Sequence, residues 1–196
     1  MPNLVLVVID GLDASGKSTQ AVMLRNFLKA CGRTVFLRIH PSTDNFCGTE
    51  SRQFLYSRGK GAHFAAALFY MVDVIRSILF YSWRKYDYVI FVRYLMGTAY
   101  LPSPIHKIAY NFFAIWVPKS NFMFFLDVRP EEAYKRIMHT RKRLEMFESL
   151  GELEKIRRKA LSLAFMGNWK IVDANKPIND VHEKIIETLK LSEKKV

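Results

Sequence analysis

The sequence of 196 residues contains little cysteine and comparatively little negative charge. Its two cysteines, Cys31 and Cys47, form no Cys-x-x-Cys pair, which excludes a disulfide framework and a cysteine-based zinc site. We therefore expect a protein of the reducing cytoplasm. The 30 basic residues outnumber the 18 acidic ones and give a formal net charge of +12. This charge favours a polyanionic partner, a nucleotide or a nucleic acid, although the scattered basic residues also fit a generally basic surface.

Uninterrupted apolar runs long enough to span a membrane are also missing. The most apolar stretch, residues 62–83, contains one acidic and one basic residue, and the next, residues 108–128, is broken at Pro118–Ser120. Both are therefore predicted to be buried elements, and we expect no membrane partner. The chain has no internal repeat, low-complexity segment or linker, so a single domain is predicted over residues 1–196.

The apolar residues form short β-rich runs separated by longer helical segments. The runs are continuous rather than alternating with polar residues, which is typical of parallel strands buried on both faces by helices. The expected fold is a three-layer α/β domain with a five-stranded parallel sheet. The predicted strands are Leu4–Ile9, Thr34–Ile39, Tyr88–Val92, Phe122–Leu126 and Lys170–Val172. The predicted helices are Lys17–Ala30, Thr49–Tyr56, His63–Trp83, Ile105–Trp116, Pro130–Thr140, Met146–Phe165 and Ile178–Leu189.

The segment between the first strand and the first helix matches a phosphate-binding pattern without a mismatch. Residues 11–18 fit Gly-x-x-x-x-Gly-Lys-[Ser/Thr], in the strand–loop–helix context that this pattern requires. The glycines let backbone N–H groups turn towards phosphate, while Lys17 is expected to reach the β- and γ-phosphates and Ser18 to bind Mg²⁺. We therefore predict binding of a nucleoside triphosphate. The residues assigned to the loop are Gly11, Leu12, Asp13, Ala14, Ser15, Gly16, Lys17, Ser18 and Thr19.

Five segments, in order along the chain, carry a resemblance to a known family. They are "IDGLDASGKSTQ", "HPSTDNFCGTESRQFL", "FFLDVRPEEAYKRI", "RKRLEMFESLGELEKIRRKAL" and "IVDANKPINDVHEKI". Together they resemble the thymidylate kinase family of P-loop nucleoside monophosphate kinases over essentially the whole chain. The resemblance implies one P-loop kinase domain, with a short lid at about residues 139–149, that transfers the γ-phosphoryl group of ATP to dTMP. It also implies Mg²⁺ as a cofactor and a nucleoside monophosphate as the second substrate.

The resemblance further implies a use for Asp13, a carboxylate within a loop that binds anions. In the family this acid faces the second substrate, where it accepts a hydrogen bond from a sugar hydroxyl or holds a water on Mg²⁺. Arg93, directly after the third strand, would grip the acceptor phosphate together with Arg52, because the guanidinium group matches phosphate geometry. The other acceptor-binding candidates are Asp73, Tyr100 and Phe69, which stands where the family stacks an aromatic ring on the base.

Phosphoryl transfer also needs positive charge around the moving group. Lys17 and Mg²⁺ would supply part of it, and Arg93 is a further catalytic candidate. Some members of the family carry a catalytic arginine directly after the loop aspartate, but here that position is Ala14. The lid must then supply the arginine, and the candidates are Arg141 and Arg143, whose alternative role is a solvated basic helix end. Closure of the lid would also expel water from the site.

Two departures from the family pattern change a charge. Val92 stands where the family has the aspartate of its Asp-Arg-Tyr motif, so either Asp10 or Asp13 compensates near the metal, or activity is low. Asp73 stands where the family has an arginine that donates to a thymine carbonyl. A carboxylate could accept from the amino group of cytosine instead. It could also pair with Arg76, three residues further on, and we favour this pairing.

These departures leave two other functions open. Asp73 favours a kinase with another acceptor, such as dCMP, UMP or a nucleoside. Val92 and the net charge of +12 favour a catalytically weak relative that binds ATP and serves as a binding protein. Nucleic acid is nevertheless not the expected partner, because the arginines for the acceptor phosphate and the lid are present. The apolar surface of the helices His63–Trp83 and Ile105–Trp116 leaves room for a homodimer.

Overall fold

Five parallel strands form one sheet in the computed structural model, which describes residues 4–55, 60–81, 85–140 and 149–193. The strand order is β2-β3-β1-β4-β5. This confirms the expected fold class and all five predicted strands, whose ends differ from the predicted ones by two residues at most. The strands are β1 Val5–Gly11, β2 Val35–Ile39, β3 Tyr88–Val92, β4 Phe122–Asp127 and β5 Lys170–Asp173.

The helices of the described residues lie where the apolar periodicity places them, with differences mainly at their ends. Helix α2 begins three residues earlier than predicted, and the 3₁₀ helix Met96–Tyr100 was not predicted. None of the described helices is long and apolar enough to cross a membrane. The helices are α1 Lys17–Ala30, α2 Phe46–Leu55, α3 Lys60–Tyr81, α4 Ile105–Trp116, α5 Pro130–Thr140, α6 Leu150–Met166 and α7 Ile178–Glu193.

The order of the strands explains how the helices cover both faces of the sheet. The connection from β1 to β2 runs in one direction across the sheet, whereas those from β2 to β3, β3 to β4 and β4 to β5 run in the other. Because such crossovers are right-handed, α1 lies on one face and α3, α4 and α6 lie on the opposite face. Helix α7 packs on α1, and α3, α4 and α6 surround the 3₁₀ helix.

The central strands explain why functional side chains gather at one edge of the sheet. All of β3 and the stretch Val7–Gly11 of β1 are buried, so their side chains fill the core on both faces. Since the strands are parallel, all five carboxyl ends meet at the same edge. Polar residues that follow the strands are therefore brought together there, as in other open α/β sheets.

The predicted lid falls mostly on residues 141–148, which lie outside the described residues. Arg141 and Arg143 are among them, so their catalytic role and the lid within the single-domain assignment stay predictions. Helix α6 follows directly, and the hydroxyl of Ser149 accepts a hydrogen bond from the backbone N–H of Glu152 at 3.4 Å. This cap satisfies a helix-end donor and defines where α6 begins among the described residues.

Candidate active site

The phosphate-binding loop emerges from β1 at the middle of the sheet and leads into α1. Its backbone uses left-handed conformations at Ala14, with φ of 56°, and at Gly16, with φ of 91°. Gly11 is constrained more tightly, because a Cβ added there would lie 2.5 Å from the carbonyl oxygen of Leu126 on β4. The glycines at both ends of the pattern are thus required by backbone geometry and by close packing against the neighbouring strand.

Two buried side chains occupy the interior of this loop. The Nζ atom of Lys17 donates to the carbonyl oxygens of Gly11, at 3.0 Å, and Leu12. The hydroxyl of Ser15 is buried and makes no hydrogen bond within the described part of the chain. A buried polar atom without a partner is uncommon and points to a ligand group that satisfies it. The loop therefore fits the polyphosphate of a nucleotide, with Lys17 already placed inside it.

Asp13 is the centre of a buried cluster of charged and hydroxyl groups. Its Oδ1 atom accepts a hydrogen bond from Arg93 at 2.7 Å, and its Oδ2 atom accepts one from the hydroxyl of Tyr100 at 2.8 Å. The Nζ atom of Lys17 lies 3.9 Å from Oδ1. Burial alone would raise the pKa of Asp13, but the cations of Arg93 and Lys17 outweigh it and hold the pKa well below its usual range. The carboxylate is therefore ionised, and it joins the phosphate-binding loop to Arg93.

Arg93 follows β3 in a conformation that turns its side chain back towards this cluster. Its φ of 60° lies in the left-handed region, which is uncommon and unfavourable for an arginine, and such strained residues tend to cluster at functional sites. His40 holds the turn from the other side: its Nδ1 atom donates to the carbonyl oxygen of Arg93 at 2.9 Å. In return, the guanidinium of Arg93 donates to the carbonyl oxygen of His40 at 3.3 Å. The Arg93 side chain remains 28% exposed, which leaves it accessible to an anionic substrate.

Asp10 and Val92, at the ends of adjacent strands, are both withdrawn from solvent. Both oxygens of Asp10 accept backbone hydrogen bonds, from Gly11 at 2.9 Å, Tyr94 at 2.7 Å and Met96 at 3.2 Å. Burial raises the pKa of Asp10 above its ordinary value. Val92 is completely buried, in register with Ile9 on β1. Asp10 thus fastens the segment after β3 to β1, and its predicted role at a metal stays a prediction.

Ser18 is the candidate metal ligand that faces outwards. It lies in the first turn of α1 and is exposed, as is Thr19 beside it. No group of three or more histidine, cysteine or acidic side chains that could hold a metal occurs among the described residues. In phosphate loops the phosphates and water supply most of the ligands of Mg²⁺. The role of Ser18 as a ligand of Mg²⁺ stays a prediction.

The predicted base-stacking residue, Phe69, belongs to a second cluster formed by α2 and α3. Its ring stacks on Phe54 with a centroid distance of 5.8 Å and an interplanar angle of 8°. The ring of Phe46 meets it edge-on at 6.0 Å. Arg52 lies on α2, as do Phe46 and Phe54, but its side chain is outside the described residues. The aromatic surface expected for a base is thus present, and its use by the acceptor stays a prediction.

The contacts of Asp73 differ from the pairing with Arg76 that we favoured from the sequence. Asp73 is completely buried, and its oxygens accept hydrogen bonds from Ser42 and Asn45 rather than from Arg76. The guanidinium of Arg76 stacks instead over the ring of Phe80, with its central carbon 5.1 Å from the ring centroid. The favoured pairing along the helix was therefore wrong. Burial explains why, since a carboxylate facing the core needs strong donors within the core.

Sequence reasoning also missed two residues of the site. Arg136, on α5, donates to the carbonyl oxygen of Ala14 at 3.4 Å and to that of Ala174 at 3.2 Å, which joins the phosphate loop to the segment after β5. Its spacing from Glu132, four residues earlier, was a visible indication that it faces a partner. The role of His40 in orienting Arg93 had no comparable indication, because its contacts reach 53 residues along the chain.

Comparisons with known proteins bear on the site as a whole. The family model described as thymidylate kinase matches residues 9–185. The chain is 28% identical to the thymidylate kinase of Sulfurihydrogenibium sp. (strain YO3AOP1), with 94% of this chain and 96% of the relative covered. It is 31% identical to the probable thymidylate kinase of Thermococcus kodakarensis, with 93% and 95% covered. The matched region contains the phosphate loop, Arg93 and the segment after β5.

A solved structure supports the fold independently. The chain superimposes on the thymidylate kinase of Candida albicans with a TM-score of 0.74, covering 96% of this chain and 92% of that one. The two sequences are 21% identical. This agreement extends over nearly the full length of both chains, so the arrangement of sheet and helices is shared.

Proposed function

Because this chain belongs to the thymidylate kinase family, it is an ATP-dependent phosphotransferase acting on dTMP, and we propose how its residues share the reaction. The alternatives raised by the sequence, another acceptor or a catalytically weak binding protein, are not favoured by this membership. The observation that carries the proposal is the continuous contact from the phosphate loop through Asp13 to Arg93 and Tyr100. This contact joins a site for one phosphate chain to a site for a second anion.

On the donor side, the proposal assigns the phosphates of ATP to the loop residues 11–19. The Nζ atom of Lys17 moves from the loop carbonyls to the β- and γ-phosphates, and the Ser15 hydroxyl gains the partner that it lacks. Ser18 would hold Mg²⁺, which supplies charge neutralisation at the β- and γ-phosphate oxygens when bound. The positive end of α1 adds to the attraction of the phosphates.

On the acceptor side, the proposal assigns the phosphate of dTMP to Arg93. Its side chain is partly exposed, and a guanidinium group can form paired hydrogen bonds with phosphate oxygens. Asp13 neutralises Arg93 before the substrate arrives and then accepts a hydrogen bond from the sugar hydroxyl, with Tyr100 beside it. The base rests against Phe69, and Arg52, Arg141 and Arg143 add charge around the transferred group. Catalysis then follows from positioning and charge, as in phosphoryl transfer generally.

A substrate panel tests the function. The purified protein is mixed with ATP and Mg²⁺, and ADP formation is followed with dTMP, dUMP, dCMP, UMP, CMP or no acceptor. We expect dTMP to give the strongest stimulation. Stimulation by a cytidine nucleotide alone would contradict the assigned acceptor. Stimulation by none of them, with ATP still bound, would instead support the binding-protein alternative and implicate Val92.

We also propose that the chain forms a homodimer and acts in the cytoplasm, where its two free cysteines stay reduced. The outward faces of α3 and α4 carry large exposed apolar side chains, of which Ile115 is 80% exposed and Trp116 is 67% exposed. Several large exposed apolar side chains on neighbouring helices are typical of an interface. Light scattering of the wild type and of Ile115→Asp tests this, because the charged variant should have the mass of a monomer.

A further inference from the structure

A buried carboxylate, Asp73, anchors the segment that leads into α2. Its Oδ2 atom accepts a hydrogen bond from the backbone N–H of Ser42 at 2.7 Å. Its Oδ1 atom accepts from the hydroxyl of Ser42 at 2.7 Å and from the side-chain amide of Asn45 at 2.8 Å. Asp73 itself is completely buried. Because both oxygens are engaged and no part of the residue reaches solvent, the carboxylate is placed to hold protein groups rather than a substrate base.

Residues 40–45, the segment that Asp73 anchors, also make hydrogen bonds with β2 and α2. A shift of this segment would therefore move its neighbours as well. Arg38 on β2 forms two hydrogen bonds with Asp44, at 2.6 and 2.7 Å, and its guanidinium lies 3.8 Å from Asp73. Asn45 accepts a hydrogen bond from the backbone N–H of Gly48 at 3.0 Å, within the first turn of α2. A Cβ at Gly48 would come within 2.7 Å of the Ser42 hydroxyl. The start of α2 therefore rests directly on the residue that Asp73 holds.

The same segment reaches Arg93 at its other end. His40 precedes Ser42 by two residues, and its Nδ1 atom donates to the Arg93 carbonyl oxygen at 2.9 Å. The carbonyl oxygen of His40 accepts from the guanidinium of Arg93 at 3.3 Å. Arg93 in turn donates to Asp13 at 2.7 Å. A short, continuous chain of contacts thus runs from Asp73 to the guanidinium assigned to the acceptor phosphate.

We propose that Asp73 is a positioning residue for acceptor binding, which fixes residues 40–45 so that His40 presents Arg93 to the acceptor phosphate. Asp73 acts through Ser42 and His40 and does not contact the base. The inference rests on the proposed function in assigning the acceptor phosphate to Arg93. It predicts that disturbing the anchor weakens acceptor binding and leaves ATP binding nearly unchanged, because the phosphate loop is held by contacts of its own.

The test is Asp73→Asn, which keeps the side-chain volume but replaces one acceptor oxygen with a donating NH₂ group. That group cannot accept from Ser42 or Asn45, so the anchor loses at least one hydrogen bond to a charged acceptor. We expect the KM for dTMP to rise about tenfold, while the KM for ATP changes by less than about twofold. Ser42→Ala, which removes only one hydroxyl, should raise the KM for dTMP by about threefold. In the double variant, the KM for dTMP should rise by less than the product of the two single increases, because both substitutions break the same contact.

Asp87 provides a matched control at the opposite edge of the sheet. It accepts hydrogen bonds from both the backbone N–H and the hydroxyl of Thr34, at 2.7 and 2.8 Å, just as Asp73 does from Ser42. Asp87→Asn should lower thermal stability without changing the KM for dTMP. A loss of folded protein lowers the apparent kcat and leaves both KM values unchanged, so the selective rise in KM separates positioning from stability.

The outcomes also separate this inference from the proposed function. If dTMP stimulates the wild type and Arg93→Lys raises the KM for dTMP, but neither Asp73→Asn nor Ser42→Ala does, the inference alone is wrong. If KM rises equally for dTMP and ATP, Asp73 has a general structural role and the inference is again wrong. A switch of acceptor preference towards other bases would make Asp73 a base-contacting residue and also overturn it. If the wild type does not respond to dTMP, the proposed function itself fails.

Discussion

The donor and acceptor sides of the site are built in different ways. The donor side consists of contiguous residues 11–19, and its shape depends on backbone conformations at Gly11, Ala14 and Gly16. The acceptor side brings together Asp13, His40, Arg93 and Tyr100, whose side chains form contacts with one another or with one another's backbone across 53 to 87 residues of sequence. A site shaped by backbone conformation tolerates changes of the side chains that point away from it. A site held together by long-range side-chain contacts depends on each of the residues involved. Asp13 belongs to both sides and couples them.

Lys17 provides the largest expected effect and tests the donor side alone. Lys17→Ala removes the positive charge assigned to the β- and γ-phosphates, so kcat should fall by about 10²- to 10³-fold, with little change in the KM for dTMP. Steady-state kinetics with varied dTMP measures both values. Lys29→Ala, at the other end of the same helix, is the control and should leave both unchanged. A variant that instead lost dTMP affinity would show that the two sides are not separable in this way.

Arg93 provides the corresponding test of the acceptor side. Arg93→Lys keeps a positive charge but loses the paired geometry for phosphate, so the KM for dTMP should rise by about tenfold or more. The KM for ATP should stay close to that of the wild type. Arg157→Lys is the matched control, because Arg157 likewise makes a two-point contact with a carboxylate, that of Asp127, at 2.7 Å each. An equal rise of KM for dTMP in both variants would contradict the specific assignment.

The same contrast explains how much could be predicted from sequence. The fold and the donor loop were predictable, because buried parallel strands and phosphate loops impose local patterns of apolar residues and glycines. The acceptor side was harder, since Asp73 finds its partners 28 and 31 residues away, whereas helical spacing suggested Arg76. The 3₁₀ helix Met96–Tyr100 was missed for a similar reason, because tertiary contacts with Asp10 help to define its start.

Tyr100 tests a smaller part of the acceptor cluster. Tyr100→Phe removes the hydroxyl that donates to Asp13, which frees that carboxylate oxygen and loosens its orientation towards the sugar. The KM for dTMP should rise by about three- to tenfold, the effect of one hydrogen bond to a charged group. Tyr110→Phe is the matched control, because the Tyr110 hydroxyl is also buried and hydrogen-bonded, but accepts from Trp169 at 2.8 Å. It should affect stability and leave the KM unchanged.

Asp13 gives the smallest expected effect, a change in stability that depends on pH. Arg93 and Lys17 hold its pKa in the folded protein well below the ordinary value, whereas the unfolded chain takes up a proton near pH 4. Its contribution to stability is therefore complete above about pH 4 and is lost as the pH falls below it. Asp13→Asn should lower Tm by about 4 °C at pH 7, and the difference from the wild type should shrink below about pH 4.

Asp10 sharpens this last comparison, because it lies three residues away and its pKa shifts in the opposite direction. Burial raises its pKa in the folded protein, so the folded state takes up a proton before the unfolded one as the pH falls. Protonation of Asp10 then favours folding, so the Tm of the wild type should rise relative to that of Asp10→Asn on acidification, opposite to the trend for Asp13. Thermal unfolding between pH 7 and pH 3 measures how Tm depends on pH in the wild type and in the two variants. Parallel curves for the two variants would mean that burial and ion pairing do not distinguish these carboxylates.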